Sequence, residues 1–236
     1  VNLGDVRDII QKDFSKIGKD GYLVLPPEVL HSGNYGVPQT RQRVFFIGFK
    51  ISSLTKESFK ELSSKHINKE FSPYPEITHK INEKILFDER EFLLKKKNIL
   101  KDIFKDLKEP DQSLDFSQKF YSKAKYMGKH VQGQKEINLE DLGPTIRSEH
   151  HGNIEFRRLS KENGGKIKSE RHLEERRLTL RECSRIQSFP DDFDFVIPSD
   201  NKKKFKLSAS SGYKLVGNAV PPLLAYHISK KIESNW

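Results

Sequence analysis

The sequence predicts an α/β fold in two parts: the carboxy-terminal end of an α/β domain and a smaller α+β domain. Three observations carry this. Residues 1–50 read as helix, strand, turn and strand, with too little sheet to stand alone. Beyond Lys50 the composition turns lysine-rich with little strand signal. Helical spacing then returns from about Arg177 to the end. In order, "DVRDIIQKDFSKIG" places Val6, Ile9, Ile10, Phe14 and Ile17 at three- and four-residue steps, an amphipathic helix. "GYLVLPPEVLHS" reads as a strand broken or edged by Pro26 and Pro27. "RVFFIGF" is a second strand, apolar on both faces and therefore expected to be central. "DEREFLLKKKNILKDIFKDL" predicts a helix burying Phe92, Leu93, Ile99, Leu100, Ile103, Phe104 and Leu107. "DLGPTIRSEHHGNIEFRRL" predicts two short strands around a turn at Gly152–Asn153, and "KENGGKIKSERHLEE" a polar loop. Thr179 and Glu182 have capping-box spacing, so a helix should start at Thr179 and stop before Pro190. Gly217 and Asn218 suit a tight turn. The last helix should hold Pro221 and Pro222 in its first turn and present Val220, Leu224, Ile228 and Ile232 as one stripe. The expected boundaries are 1–50 for the end of the α/β domain, 51–205 for the smaller domain, and 206–236 for a return to the first.

Charge narrows the partner. Lys+Arg number 43 against 33 Asp+Glu, a formal net charge of +10, with a pI near 9.4 and a mean hydropathy of −0.72. A polyanion such as nucleic acid suits that balance; a lysine-rich protein with no such partner suits it equally. One cysteine rules out a disulfide framework and a multi-cysteine metal site. No apolar run approaches the roughly 20 residues of a membrane helix, and no signal peptide is visible. The chain starts at Val1, so a processed amino terminus or a piece of something longer is expected.

The chemistry concentrates in "NYGVPQTRQRVFFIGF", Asn34–Phe49, where Gln39, Arg41 and Arg43 stand at a strand entrance. Two arginines one residue apart on extended chain point to the same side. Each offers a planar fork of donors for phosphate or a carbonyl oxygen; taken alone, ordinary surface arginines fit as well. They are followed by "RRLTLRECSRIQSFPDDF" and "GYKLVGNAVPPLLA". In this order the three segments resemble the last three sequence blocks of the DNA (cytosine-5)-methyltransferases: Y-G-x-P-Q-x-R-x-R, R-x-L-T-x-R-E-x-A-R-L-Q-x-F-P and Q-x-G-N-A-V-P-P. The second departs at Ser184 and Ile186, and Leu215 stands where glutamine is common. The blocks cover about a fifth of the chain, and their order organises nearly all of it.

The resemblance implies the carboxy-terminal part of an S-adenosylmethionine-dependent α/β domain plus a target-recognition domain. In such enzymes a cysteine thiolate adds to C6 of a cytosine flipped out of double-stranded DNA, and C5 takes the methyl group of S-adenosylmethionine. By motif position Arg43 is the expected donor to cytosine O2, where charge builds. Arg41 is expected to brace the flipped nucleotide or its phosphate, and Gln39 to enter the gap or steady the loop. Residues 51 to about 176 occupy the place of the recognition domain. There Thr145, Arg147, Glu149, His150, His151 and Asn153 have groups suited to base edges, although a polar turn with exposed histidines fits equally. Arg177 and Arg181 are grouped with the DNA-binding residues, with a role in organising the recognition domain favoured over catalysis. Asn218, Ala219 and Val220 are expected to complete the cofactor pocket. No metal site is expected, since adjacent histidines point apart. Cys183, inside a predicted helix, is expected to be a buried small hydrophobe and not the nucleophile.

The blocks that would precede these are absent. No two glycines are separated by a single residue, no proline precedes Cys183, and no E-N-V segment occurs. The chain is therefore expected not to methylate DNA alone. It reads as a carboxy-terminal fragment, as a second subunit completed by a front half, or as a non-catalytic DNA-binding or regulatory module derived from the family. A bacterial cytoplasmic, nucleoid-associated setting within a restriction-modification system is the expectation.

Overall fold

The computed structural model describes residues 3–64, 66–81, 93–148, 154–196 and 208–235. They divide into two compact bodies. The smaller comprises 1–31, 42–76 and 226–236, and the larger 32–41 and 77–225.

The smaller body begins with α1 (Leu3–Phe14). Strands β1 (Tyr22–Val24) and β2 (Glu28–His31) flank Pro26 and Pro27, which have no N–H to continue one ladder. β3 (Gln42–Phe45) pairs antiparallel with β2, and β4 (Gly48–Lys50) pairs antiparallel with β1. The backbone N–H of Leu25 donates to Ile47 at 2.9 Å between the two ladders, so the four strands form one bent ribbon. The expected continuous central strand is thus two short strands. Each has one partner among the described residues, and Val44 is half exposed. The apolar run was read as burial on both faces, whereas only Leu25, Leu30 and Ile47 of this ribbon are buried. α2 (Lys56–Leu62) starts at Thr55, whose side chain accepts from the Ser58 amide. Tyr74 lies with its hydroxyl within reach of the Pro26 and Phe45 carbonyls, at 3.0 and 3.1 Å.

The larger body holds the main core: Leu100, Phe104, Ile137, Ile146, Ile154, Leu178, Leu180, Cys183, Ile186, Phe195, Val196, Tyr213 and Val216. β5 (His79–Lys80) runs parallel to β6 (Lys95–Lys96). The helix expected across 88–107 is reduced, among the described residues, to α3 (Leu100–Phe104). Lys95 and Lys96 are extended and Leu93 is exposed. α4 (Phe116–Lys119) is capped by Asp115. β7 (Phe156–Arg158) pairs with β8 (Arg176–Arg177), so the polar loop closes this ribbon. The strand pair expected around Gly152–Asn153 is corrected accordingly; that turn itself lies outside the described residues. α5 (Leu180–Ile186) carries the complete capping box between Thr179 and Glu182. α6 (Ala209–Asn218) was not foreseen, and Gly217 and Asn218 end it instead of forming a turn. α7 (Pro222–Asn235) follows, with Pro222 as its first residue.

Candidate functional site

Residues 32–41, which hold the start of the first block, form a loop packed within the larger body. Ser32, Tyr35, Val37, Gln39 and Arg41 are all buried. The loop closes on itself where the Ser32 amide donates to the Arg41 carbonyl at 2.8 Å. Gly36 turns it with φ +80°, and a Cβ there would lie 2.7 Å from the His79 ring. Two bonds fasten it to the segment before Ile146: Thr40 amide to Gly143 carbonyl at 2.8 Å, and Gly143 amide to Pro38 carbonyl at 2.9 Å. The Thr145 hydroxyl also donates to the Thr40 carbonyl.

Inside this frame the three motif blocks meet. Gln39 is fully buried, and its Nε2 donates to Gln187 Oε1 at 2.6 Å. Gln187, also buried, donates onward to the Val216 and Ala219 carbonyls at 3.0 and 2.7 Å. Arg41 uses its fork on two further carbonyls, Ile146 and Gly217, both at 2.9 Å. Gly217 is where α6 passes the backbone of Arg147 and Ser148; a Cβ there would sit 2.4 Å from the carbonyl carbon of Arg147. Neutral carbonyls at a helix end are suitable partners for a buried guanidinium, which would otherwise lose its hydration uncompensated.

Arg41 therefore braces protein against protein. The alternation that would put Arg41 and Arg43 on one side begins only with β3 at Gln42. Arg43, two residues on, is exposed; its Nη1 donates to the Gln42 carbonyl at 2.6 Å.

The DNA-reading set separates in the same way. Arg147 is exposed, whereas Thr145 spends its hydroxyl on Thr40. Glu149, His150, His151 and Asn153 lie outside the described residues. Arg177 and Arg181 are each only 2% exposed. Arg177 donates to the carbonyls of Ala124, Gly133 and Ile154 and stacks 4.3 Å from the Phe156 ring centre. Arg181 pairs with Asp115 at 2.5 Å. Beside them Arg157, Arg158 and Arg176 interlock with Glu109, Glu170 and Glu182, three cations against three anions. Burial alone would raise the Glu109 carboxyl, but hydrogen bonds from Arg158 and Arg176 outweigh it and hold its pKa down to about 2. Glu182 is also lowered against its burial, by the charge of and hydrogen bonds from Arg176.

Cys183 is fully buried on α5, and burial followed by the Glu182 charge pushes its thiol well above the ordinary range. A thiol so placed is no nucleophile. Asn218 and Val220 are exposed and Ala219 is half-buried. No group of three His, Cys, Asp or Glu suited to a metal occurs among the described residues. None of the described helices is long and apolar enough to cross a membrane.

The family model of the C-5 cytosine-specific DNA methylases matches residues 2–234. The chain belongs to this family. Among its relatives, the type II methyltransferase M.FnuDI of Fusobacterium nucleatum is 31% identical over 98% of this chain and 60% of its own length. M.MthTI of Methanothermobacter thermautotrophicus is 27% identical, over 88% of this chain and 56% of its own length. M.BsuRI of Bacillus subtilis is also 27% identical, over 99% and 46%. The chain thus spans about half the length of the curated relatives it matches.

Gln187 is the buried link between the blocks that sequence reasoning missed. It stood inside a matched block, in "RIQSFP", as one matching letter among many. A long-range partner for a buried glutamine is not readable from local spacing.

Proposed function

We propose that this chain is the carboxy-terminal part or second subunit of a DNA (cytosine-5)-methyltransferase. Its substrate is a cytosine flipped from a specific double-stranded DNA site, in a restriction-modification system. Residues 51–205 serve as its target-recognition domain, with Arg147 and the 149–153 segment toward the base edges. One observation carries the reading: within a single motif Arg41 is committed to protein carbonyls while Arg43 is left exposed. An exposed guanidinium whose hydrogen bond is to its neighbour's carbonyl suits a donor that can turn to another acceptor when substrate arrives.

In this reading Arg43 donates to cytosine O2 and stabilises the negative charge that grows on the ring after attack at C6. Gln39 and Arg41 are positioning residues. They lock the loop to α5 and to the end of α6, so that the strand entrance does not drift as the base is held. The nucleophile comes from the rest of the enzyme. S-adenosylmethionine, when bound, supplies the methyl group. The residues present fit only one wall of its site. Gln187 ties down the carbonyls of Val216 and Ala219, which leaves the Asn218 and Val220 side chains exposed and available to line it.

The test mixes this chain with the portion of the Fusobacterium nucleatum relative that it leaves unmatched, and follows methyl transfer from S-adenosylmethionine to duplex DNA. Transfer is expected only in the mixture. Arg43→Ala should lower turnover by about 10²-fold or more while duplex affinity holds. Unchanged turnover with weakened binding would make Arg43 a phosphate anchor. DNA binding without transfer in any mixture would leave a non-catalytic module in place of an enzyme.

A further inference from the structure

Within the larger body, the segment 134–140 and the loop 159–169 line a half-enclosed cavity of about 800 Å³. None of its lining residues belongs to the three motif blocks or to the set read as facing base edges. Its walls are pinned by the protein itself. Glu136 accepts the backbone amides of Leu159 at 2.9 Å and of Lys166 at 2.6 Å, so one carboxylate holds both ends of the 159–166 loop. Gly164 turns that loop with φ +85°, and a Cβ on Gly165 would lie 2.1 Å from the Leu159 carbonyl oxygen. The other wall is tied down where the Ile137 amide donates to the Phe156 carbonyl at 3.0 Å and the Phe156 amide to the Lys135 carbonyl at 2.8 Å. Buried Gln134 accepts the Met127 amide at 2.8 Å, beside Tyr126 of the lining.

The lining sorts by chemistry. Tyr126, Ile137, Leu139, Leu159 and Ile167 give the cavity an apolar interior. Lys129, Lys135, Lys166 and Lys168 also line it; all four are exposed, and none has an ion pair within the described residues. The two carboxylates of the lining are already engaged, Glu136 by the two amides and Glu140 by Lys101 at 2.9 Å. What is left over is positive charge around an apolar interior. The complementary ligand has an aromatic or apolar body and more than one negative charge, and lysine is a point-charge partner for phosphate. Cavities of roughly 300–1,000 Å³ enclose small organic ligands. A DNA duplex is too wide to enter, and a half-enclosed shape favours a free molecule over one nucleotide of a continuing strand. We propose that this cavity binds a free nucleoside monophosphate, its ring among Tyr126, Leu159 and Ile167 and its phosphate at the lysines.

The test is calorimetric titration of the chain with adenosine monophosphate and, separately, with cytidine monophosphate. At least one should bind one-to-one with a Kd of about 10–100 µM. The double variant K166Q/K168Q changes exposed side chains only. It should weaken that binding by about tenfold or more at an unchanged thermal midpoint. Tyr126→Leu, made separately, should weaken it as well, and inorganic phosphate should bind the wild-type chain at least about tenfold more weakly than the nucleotide. No binding of either nucleotide at millimolar concentration, or equal binding by wild type and K166Q/K168Q, would overturn the site. Inorganic phosphate as tight as the nucleotide would reduce it to surface charge and overturn the proposal. If a single-stranded or duplex oligonucleotide displaced the nucleotide and K166Q/K168Q weakened DNA binding equally, the lysines would belong to a DNA contact and the proposal would fall. None of these readouts requires methyl transfer, so the proposed function stands or falls separately.

Discussion

The two bodies of this chain finish their interiors to different degrees. The larger has a continuous apolar cluster and, around it, arginines and glutamates that neutralise one another in its interior. The smaller, among its described residues, buries Leu25, Leu30, Ile47, Leu62 and Tyr74. It leaves exposed twice as many large hydrophobics: Val6, Ile9, Phe14, Ile17, Val29, Val44, Phe46, Phe59, Phe71 and Tyr226. Each such side chain forgoes part of the roughly 1.5–3 kcal/mol that full burial would contribute. The difference teaches that fold completeness is local. One body can close its interior while the other, among its described residues, leaves many apolar side chains exposed. It also divides the basic charge. Arg157, Arg158, Arg176, Arg177 and Arg181 are internal fittings, so any pull on a polyanion falls largely to the lysines and to Arg147 and Arg43.

The comparison breaks most directly at Glu182. Its carboxylate is 1% exposed, accepts two hydrogen bonds from Arg176, and receives the Thr179 amide at 2.8 Å. Glu182→Ala leaves Arg176 and Arg157 short of a counter-charge and removes half of the capping box. A loss of about 3–5 kcal/mol is expected in urea denaturation followed by circular dichroism. A loss below about 1 kcal/mol would mean that the arginine network does not organise this body.

Acid sharpens the same contrast with a smaller effect. Glu109, held near 2, and Glu182, also lowered, contribute stability that is fully present above the unfolded carboxyl range near 4.5. That contribution is lost as pH falls through the folded values. Asp106, Asp141 and Asp191 are lowered as well, while Glu155 is raised by burial and opposes them. The urea midpoint should fall between about pH 4.5 and 2. Glu109→Gln should flatten that slope and lower the midpoint at neutral pH.

What the sequence made legible was local. The Thr179–Glu182 capping box, the proline-started last helix and the α1 stripe each depend on residues within a turn or two, and all three elements are present. The failures share a cause. Arg176 finds Glu109 67 positions away and Arg177 finds Gly133 44 away, so local spacing could not separate buried arginines from a DNA-facing row. α6 was hidden because Gly212 and Gly217 depress helix propensity, yet Gly217 is required by the passing backbone of Arg147. "RVFFIGF" was read as central because apolarity on both faces implies cover on both. Among the described residues, Val44 and Phe46 are exposed.

The smallest expected effect on stability is also the most discriminating for the site. Arg41→Ala removes a buried fork from the Ile146 and Gly217 carbonyls and opens a gap between two segments; about 2–3 kcal/mol should be lost. Arg43→Ala, two residues on, removes an exposed side chain that donates to its neighbour's carbonyl, and should change stability in urea denaturation by less than about 0.5 kcal/mol. Yet it is Arg43 whose loss should silence methyl transfer in the completed enzyme. A residue that stability ignores and turnover requires is held for the substrate. If Arg43→Ala instead destabilised the chain as much as Arg41→Ala, the two would be one structural pair, and the assignment of the cytosine O2 donor would have to move elsewhere.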